Sequence, residues 1–200
     1  MLPLPPITQA LIMINVVAYL LDWLLGHRLS QYLALYPLAF GGFMPFQVVT
    51  YAFMHGSFGH LFFNMIGLWT FGQELERLWG PKRYMQFYGA SVLSAAAVQL
   101  LVTWLLSSPY PTLGASGGLF GLLLAFGMLF PNRQVMLIIP PIPLKAKTLV
   151  IGYGALELFF GVTGTQEGVA HFAHLGGMLG GFLLIRYWRG QPPFRGRRRF

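Results

Sequence analysis

Long apolar runs with few internal charges dominate this chain and restrict what it can fold into. Hydrophobic residues make up 56% of the 200 residues and charged residues only 9%, a balance that excludes an ordinary soluble globular protein. A helix satisfies its own backbone hydrogen bonds in lipid, and about 20 residues cross the hydrocarbon. We therefore expect an all-α polytopic membrane protein, a six-transmembrane-helix bundle. Its predicted spans are 7–25, 57–75, 84–106, 115–130, 147–163 and 168–188.

The spans are expected to form one membrane domain over residues 1–189, followed by a basic tail over residues 190–200. Proline and glycine mark the joints between spans, as at Gly80-Pro81. The segment 26–54 is too long for a tight turn and too apolar for a solvated loop, so it should lie partly in the membrane interface. The first span lacks a basic leader and a small-residue cleavage site, which favours a retained span over a signal peptide.

The basic residues give the chain a predicted orientation. If six spans place both termini on one face, that face receives every Lys and Arg of the 13 except Arg28. This asymmetry predicts cytoplasmic termini, and we expect the plasma membrane of a bacterium. The tail arginines would attract anionic headgroups, and no separate basic and aromatic face suggests nucleic acid. The absence of cysteine excludes disulfides, thiol catalysis and cysteine-based metal sites.

Two polar residues stand within apolar spans, where buried polar groups are costly and tend to mark function. Ser116 begins one span in the run Gly114-Ala115-Ser116-Gly117-Gly118, and His174 lies in Ala173-His174-Leu175-Gly176-Gly177. Gly117 and Gly121 are four residues apart, as are Ala173, Gly177 and Gly181, so the two helices could approach closely. Close packing alone would explain the glycines, whereas a nucleophile and a base also explain the imidazole.

Helix rise supplies a test of depth. Counted at about 1.5 Å per residue from Pro131, Glu76 and Arg186, the side chains of Ser116, His60 and His174 stand roughly 18–24 Å above the inner interface. His60 and Asn64 are four residues apart and share a helical face. They would form either an interhelical hydrogen-bond pair or side-chain donors to an oxyanion.

Metal ligation and the two membrane glutamates need separate interpretation. His55, His60, His171 and His174 could gather, but there is no HExxH motif and no carboxylate placed to complete a site, so we expect no metal. Glu76, near the cytoplasmic end of its span, is expected to be structural, pairing locally or bonding loop amides. Glu157 lies in the middle of a span without an obvious ion-pair partner, and a protonated, hydrogen-bonded carboxyl is the simplest expectation.

Together these residues resemble the rhomboid family of intramembrane serine proteases over about residues 40–185. Four motifs carry the resemblance. The first two are His-xxxx-His-xxx-Asn at His55, His60 and Asn64, and Gly-xxx-Glu-xxx-Gly at Gly72, Glu76 and Gly80. The other two are Gly-x-Ser at Gly114 and Ser116, and Ala-His-xx-Gly-xxx-Gly at Ala173–Gly181. The chain departs from the family at Phe46-Gln47, where Trp-Arg is frequent, which leaves the anchoring of the first loop open. At Phe120 a tyrosine that stacks on the catalytic histidine is frequent.

The resemblance implies an intramembrane serine endopeptidase without a cofactor. Ser116 would be the nucleophile and His174, rather than His171, the base; His60, Asn64 and the Ser116 amide would bind the oxyanion. Because the outer side offers only Asp22 and Glu167 as carboxylates, we expect a Ser-His dyad whose imidazole is oriented by packing against Phe120. Gly114, Gly117, Gly177, Gly181 and Glu76 would be structural.

The expected substrates are membrane proteins whose transmembrane segment unwinds easily near the outer interface, because an intact helix offers no free carbonyl. One alternative is a catalytically inert rhomboid-like adaptor or chaperone. Another is a small-molecule channel or metal carrier that uses the histidines.

Overall fold

Helices account for most of the computed structural model, which describes residues 3–137, 140–164 and 170–193. The helices are α1 (Pro6–Leu24), α2 (Arg28–Leu33), α3 (Gln47–Thr50), α4 (Phe58–Gly67), α5 (Gln73–Leu105), α6 (Ser116–Leu129), α7 (Ala146–Thr163) and α8 (His171–Trp188). Single 3-10 turns cover Leu38–Phe40 and Tyr51–Phe53, and a π-helical segment, Leu68–Gly72, joins α4 to α5. The prediction of a mostly helical chain is confirmed.

The helix ends agree closely with the predicted spans, except that the second and third spans are continuous through α4, the π segment and α5. The helical path breaks only at Gly80, whose φ of 74° and ψ of 165° are non-helical, and Pro81 follows directly. Glycine is favoured at such a positive φ because it has no Cβ. This joint therefore separates two helical rods without a loop.

Length and hydropathy identify three helical stretches within the described residues that could cross a membrane, Pro6–Leu24, Phe58–Leu105 and Ala146–Thr163. The continuous stretch contains two predicted spans, and α6 is apolar but has only 14 residues. These criteria do not confirm the count of six spans. At 1.5 Å per residue α6 is about 21 Å long, which is shorter than a hydrocarbon layer of about 30 Å.

A short β-hairpin between α6 and α7 departs from the all-α expectation. Strand β1 (Gln134–Met136) pairs antiparallel with β2 (Pro143–Lys145), with Val135 opposite Leu144. Pro140, Pro141 and Pro143 fall in this connection, where they remove amide donors and prevent a helix. The sequence marked the joint through its prolines but did not predict the strands.

Helices α5, α6 and α8 form the centre of the bundle, with fully buried Leu75, Tyr84, Phe87 and Leu122 between them. Gly177 and Gly181 of α8 face Gly117 and Gly121 of α6. A Cβ at Gly177 would collide with the Gly117 carbonyl oxygen, and one at Gly181 would lie 3.4 Å from the Gly121 Cα. The prediction that glycine-lined faces bring these two helices together is confirmed.

The segment 26–54 folds over the end of the bundle where α6 begins, and it is anchored by Gln47. This side chain is 1% exposed, and it forms hydrogen bonds with the backbone of Tyr32, Tyr36, Gly42 and Met44. Leu35 and Thr112 exchange backbone hydrogen bonds of 2.8 and 2.9 Å, which ties the segment to the strand-like approach to α6. Gln47 therefore anchors this loop in the absence of the Trp-Arg pair.

Glu76 joins α5 to the start of α1 at the opposite end of the bundle. Its Oε1 accepts from the Ile7 amide at 2.9 Å, and its Oε2 accepts from the Thr8 amide at 2.7 Å and the Thr8 hydroxyl at 2.8 Å. A carboxylate fits there because the first amides of a helix have no internal acceptor. The expected bonds to amides are present, although the amides belong to the first turn of α1 rather than to a loop.

Candidate functional site

The first turn of α6 places Ser116 at the end of the bundle opposite Glu76. Gly114 precedes it with a φ of +126°, and a Cβ there would lie 2.7 Å from the His60 ring. Only glycine combines that backbone angle with so close an approach. Since Ser116 is the first residue of α6, its amide has no acceptor within the helix.

Ser116 and His174 meet across the glycine contact between α6 and α8. The Ser116 Oγ lies 2.8 Å from the His174 Nε2, within ordinary hydrogen-bond range. The phenyl ring of Phe120, one turn after Ser116, stacks on the imidazole with centroids 4.2 Å apart and planes 3° apart. The two predicted reacting groups and the predicted packing partner are therefore adjacent in the structure.

A carboxylate contacts the far side of the imidazole, contrary to the sequence expectation. The Glu157 Oε2 lies 2.8 Å from the His174 Nδ1 and 2.7 Å from the His171 Nδ1. The expectation that Glu157 lacks a partner is wrong, and packing against Phe120 is not the only contact of the His174 ring. Asp22 instead accepts from Ser30 and His27 at the junction of α1 and α2, and Glu167 lies outside the described residues.

The helical connection explains how Glu157 reaches this place. Glu157 lies about two turns before Gly164, the residue that follows the end of α7. His174 lies about one turn after Ala170, the residue that precedes the start of α8. Adjacent helices joined by a short connection run antiparallel, so these positions face each other. Counting turns outward from residues 164–170 was the sequence signal that would have identified the pair.

His60 and Asn64 approach the site from α4. Asn64 donates from Nδ2 to the His60 carbonyl oxygen at 3.0 Å, which leaves its second amide N–H for another acceptor. The Ser57 hydroxyl caps α4 by accepting from the His60 amide at 3.1 Å. The ring of His55 lies edge-on to the His60 ring with centroids 4.9 Å apart. Burial and the nearby His60 lower the pKa of His55 to about 4, so His55 is neutral at pH 7.

Two cavities meet at Ser116 and His60. One of about 520 Å³ runs sideways between α4, α6, α7 and the hairpin, and its lining includes Phe63, Asn64, Leu119, Phe120, Val135, Met136, Leu149 and Tyr153. The other, of about 530 Å³, opens among the loops at the end of the bundle where α6 begins, and it is lined by Gln99, Ser108, Tyr110, Thr112 and His174, among others. Ser116 can therefore be reached both from the side of the bundle and from this end.

Among the described residues, one group of side chains of the kinds that bind metal ions lies close together. It consists of Glu157, His171 and His174, whose potential ligand atoms lie within 4.8 Å of one another. A carboxylate therefore does lie beside two of the histidines, and the four histidines considered from the sequence are not the group that converges. The Glu157 oxygen lies 2.7 and 2.8 Å from the two ring nitrogens. Ligand atoms around tetrahedral zinc stand about 3.3 Å apart, given bonds of about 2.0–2.1 Å, so the observed geometry fits hydrogen bonds better.

Comparison with known proteins agrees with the motifs in this site. The chain is 32% identical over 146 residues to the mitochondrial Rhomboid protein 1 of Saccharomyces cerevisiae, which covers 68% of this chain and 40% of that protein. It is 30% identical to the Rhomboid protease GluP of Bacillus subtilis over 137 residues, 68% of this chain and 24% of GluP. Presenilin-associated rhomboid-like protein A, mitochondrial, of Danio rerio is 30% identical over 156 residues, 73% and 39% of the two chains.

The chain spans less than half the length of these three relatives. Since mitochondrial proteins stand among them, they do not support the expected bacterial plasma membrane. The rhomboid domain family matches residues 43–190, a range that contains Ser116, His174, His60, Asn64 and Glu157. With most of its length in that match and three of its four motifs assembled around Ser116, this chain belongs to the rhomboid family.

Proposed function

We propose that this chain is an intramembrane serine endopeptidase that cleaves transmembrane segments of membrane proteins near the outer interface. The observation that carries the proposal is the 2.8 Å hydrogen bond between the Ser116 Oγ and the His174 Nε2. A hydroxyl bonded to an imidazole is the arrangement that activates a serine nucleophile. An inert adaptor of the same fold would not require it.

In the proposed reaction His174 acts first as a base and then as an acid. Its Nε2 takes the hydroxyl proton while the Ser116 Oγ bonds to the carbonyl carbon of the scissile peptide. When the tetrahedral intermediate collapses, the C–N bond breaks and the same proton passes to the leaving amine. Water then attacks the acyl-enzyme with His174 again as base, which releases the carboxylic acid and restores Ser116.

Donors around Ser116 would stabilise the oxyanion of the intermediate. Its backbone amide lies at the start of α6, where the helix dipole also favours negative charge. His60 and the free N–H of Asn64 line the lateral cavity beside Ser116 and would supply side-chain donors. Loss of one such donor typically slows catalysis about 100- to 1,000-fold.

The two cavities would divide the tasks of admitting substrate and water. The lateral cavity has the apolar lining that a lipid-embedded segment requires, and the outer cavity offers the polar path that water requires. A substrate helix must unwind before its carbonyl is exposed, because an intact helix satisfies its backbone internally. We expect substrates with glycine, proline or small polar residues near the outer interface.

Six crossings would accompany this activity, with the Gly80 break dividing the long stretch and with α6 and α8 completing the bundle. Contacts support one basic end: Arg77 donates to the Pro3 carbonyl at 3.0 Å, and Arg133 pairs with Glu74 at 3.0 Å. Positive charge is retained on the cytoplasmic side of membrane proteins. We therefore assign both termini to that side and Ser116 to the opposite half of the bilayer.

Cleavage assays with purified protein in liposomes test the proposal. The wild type should cut generic single-span substrates, and Ser116→Ala and His174→Ala should each lower the rate at least about 1,000-fold. His27→Ala, at an exposed histidine on α2's cap, is the matched control and should cleave normally. Equal cleavage by the wild type and both site variants would refute the proposal, and binding of substrate without cleavage would favour the inert adaptor.

A further inference from the structure

We infer that Glu157 is a positioning residue that holds His174 in the tautomer able to activate Ser116, with His171 as its second donor. The inference rests on the proposed function and adds a third group to the expected pair of serine and histidine. It starts from the two short contacts of the Glu157 Oε2, 2.8 Å to the His174 Nδ1 and 2.7 Å to the His171 Nδ1.

Stacking on Phe120 cannot supply this control. Parallel rings with centroids 4.2 Å apart restrict the tilt of the imidazole, but a stacked ring is equally well packed whichever nitrogen carries the proton. A neutral imidazole has one N–H and one acceptor nitrogen. Only a group that bonds in the ring plane selects between the two tautomers.

In this arrangement Glu157 is ionised, not protonated as the sequence analysis expected. It makes the selection because an ionised carboxylate accepts hydrogen bonds and cannot donate them. A proton on the His174 Nδ1 satisfies Glu157, and it leaves the Nε2 lone pair facing the Ser116 hydroxyl at 2.8 Å. The opposite tautomer would set two acceptors against each other at Glu157, and its Nε2 proton would be donated to the Ser116 hydroxyl, leaving no base for the hydroxyl proton. As His174 takes the serine proton, the adjacent carboxylate also stabilises the imidazolium.

His171 holds the carboxylate in place from a second direction. Its side chain is 5% exposed, and its Nδ1 donates to the same oxygen that His174 uses. Elsewhere α7 presents large apolar side chains outward, including Ile151, Leu158 and Phe159. Glu157 thus joins α7 to the two histidines of α8. A purely structural link between the helices is the competing explanation, and the variants below separate the two.

The decisive variant is Glu157→Gln, which keeps the shape of the side chain and removes its charge. Its amide nitrogen can donate to the His174 Nδ1 and stabilise the wrong tautomer. We expect kcat to fall at least about 100-fold, toward the roughly 10,000-fold loss seen when a serine hydrolase loses the carboxylate behind its histidine. KM should stay within about twofold because the side chain does not line the substrate cavity.

Two further variants make the comparison specific. Glu157→Asp keeps the charge on a side chain one methylene shorter and should recover at least about tenfold of the kcat lost in Glu157→Gln. Glu74→Gln is the matched control, since it removes a carboxylate paired with Arg133 at the other end of the bundle. It should cleave like the wild type. Wild-type kcat in Glu157→Gln, or loss of thermal stability without loss of kcat per active site, would overturn the inference.

His171 provides an independent pair of variants. His171→Asn places an amide N–H near the position of the lost Nδ1, whereas His171→Leu removes the donor. If the histidine serves to hold Glu157, His171→Asn should retain several-fold more kcat than His171→Leu at similar thermal stability. Equal kcat in these two variants would remove His171 from the proposed arrangement.

Nitrogen NMR of the wild type tests the tautomer without relying on a variant that folds. In protein carrying 15N-labelled histidine, the His174 signal, assigned by its loss in His174→Asn, should show a protonated Nδ1 and an unprotonated Nε2. A proton on Nε2 would overturn the inference whatever the variants do. If Ser116→Ala and His174→Ala abolish cleavage while Glu157→Gln does not, the inference fails and the proposed protease function stands.

Discussion

Glu76 and Glu157 are both buried in the helical bundle, yet their surroundings differ in kind. Glu76 is 2% exposed and accepts from the backbone of Ile7 and Thr8 and from the Thr8 hydroxyl. Glu157 is 9% exposed and is bonded to two imidazoles. The first carboxylate meets donors whose protons never move, whereas the second meets a ring that would exchange protons with Ser116.

The difference teaches that burial and hydrogen bonding of an acidic side chain do not themselves indicate catalysis. A carboxylate on a helix start completes the backbone hydrogen bonding of that helix and contributes to stability. A carboxylate on an imidazole controls which nitrogen carries a proton. We therefore expect changes at Glu76 to alter stability and changes at Glu157 to alter kcat.

Glu76→Gln should produce the largest stability loss among the tests of this comparison. The amide nitrogen would face either the Ile7 amide or the two Thr8 donors, leaving buried groups unsatisfied at a cost of about 2–4 kcal/mol. Thermal unfolding in detergent measures the loss, and kcat per labelled active site should remain within about twofold. A large fall in kcat with unchanged stability would erase the contrast between the two glutamates.

Phe120→Leu sharpens the comparison on the Glu157 side by removing the stacked ring while leaving the carboxylate. An aromatic stack contributes about 0.5–1.5 kcal/mol, so kcat should fall by roughly tenfold or less. Phe120→Tyr keeps the aromatic face and should retain nearly full activity. If Phe120→Leu lost as much kcat as Glu157→Gln, packing would control His174 after all.

Thr8→Val tests the Glu76 side with a smaller change. The substitution keeps the branched shape of a fully buried side chain and deletes one of the three donors to Glu76. The expected loss of stability is about 1 kcal/mol, measured as a lowered unfolding temperature, and Thr8→Ser should restore most of it. No change in Thr8→Val would mean that the two backbone amides alone satisfy Glu76.

His55 supplies a reference for pH because it lies outside both glutamate sites. Its pKa of about 4 in the folded chain is below the value of 6.5 for an unperturbed histidine. The unfolded chain therefore binds more protons between these values, and stability is lost as pH falls from about 6.5 toward 4.

The wild type should accordingly lose about 0.7 kcal/mol more than His55→Phe between pH 7 and pH 6. Unfolding temperatures of the two proteins across this interval measure the difference, in which the other histidines largely cancel. Parallel pH curves for wild type and His55→Phe would show that His55 does not titrate in this way.

Much of the arrangement around Ser116 was predictable because it depends on the spacing of residues along single helices. Glycines four residues apart mark the crossing of α6 and α8, and the ring at Phe120 lies one helical turn from Ser116. These relations follow from helix periodicity alone. The span limits were equally accessible, since long apolar stretches end where glycine, proline and charge appear.

Other features depend on how separate elements pack. Glu157 and His174 are 17 residues apart and meet only because α7 and α8 run antiparallel, so the absence of a nearby partner in the sequence was misleading. Gln47 anchors the first loop through backbone groups that the fold collects from several turns. The strands of the hairpin at 134–145 form where prolines prevent a helix, and they pair with each other.

The brevity of α6 has a consequence for how a protease of this kind would choose a bond. Its 14 residues make α6 about 21 Å long, so in the proposed orientation Ser116 would lie about that far from the cytoplasmic end of this helix. A substrate would then be cut at a depth that the length of α6 determines. The side chains of the substrate would then determine only whether its helix can unwind at that depth.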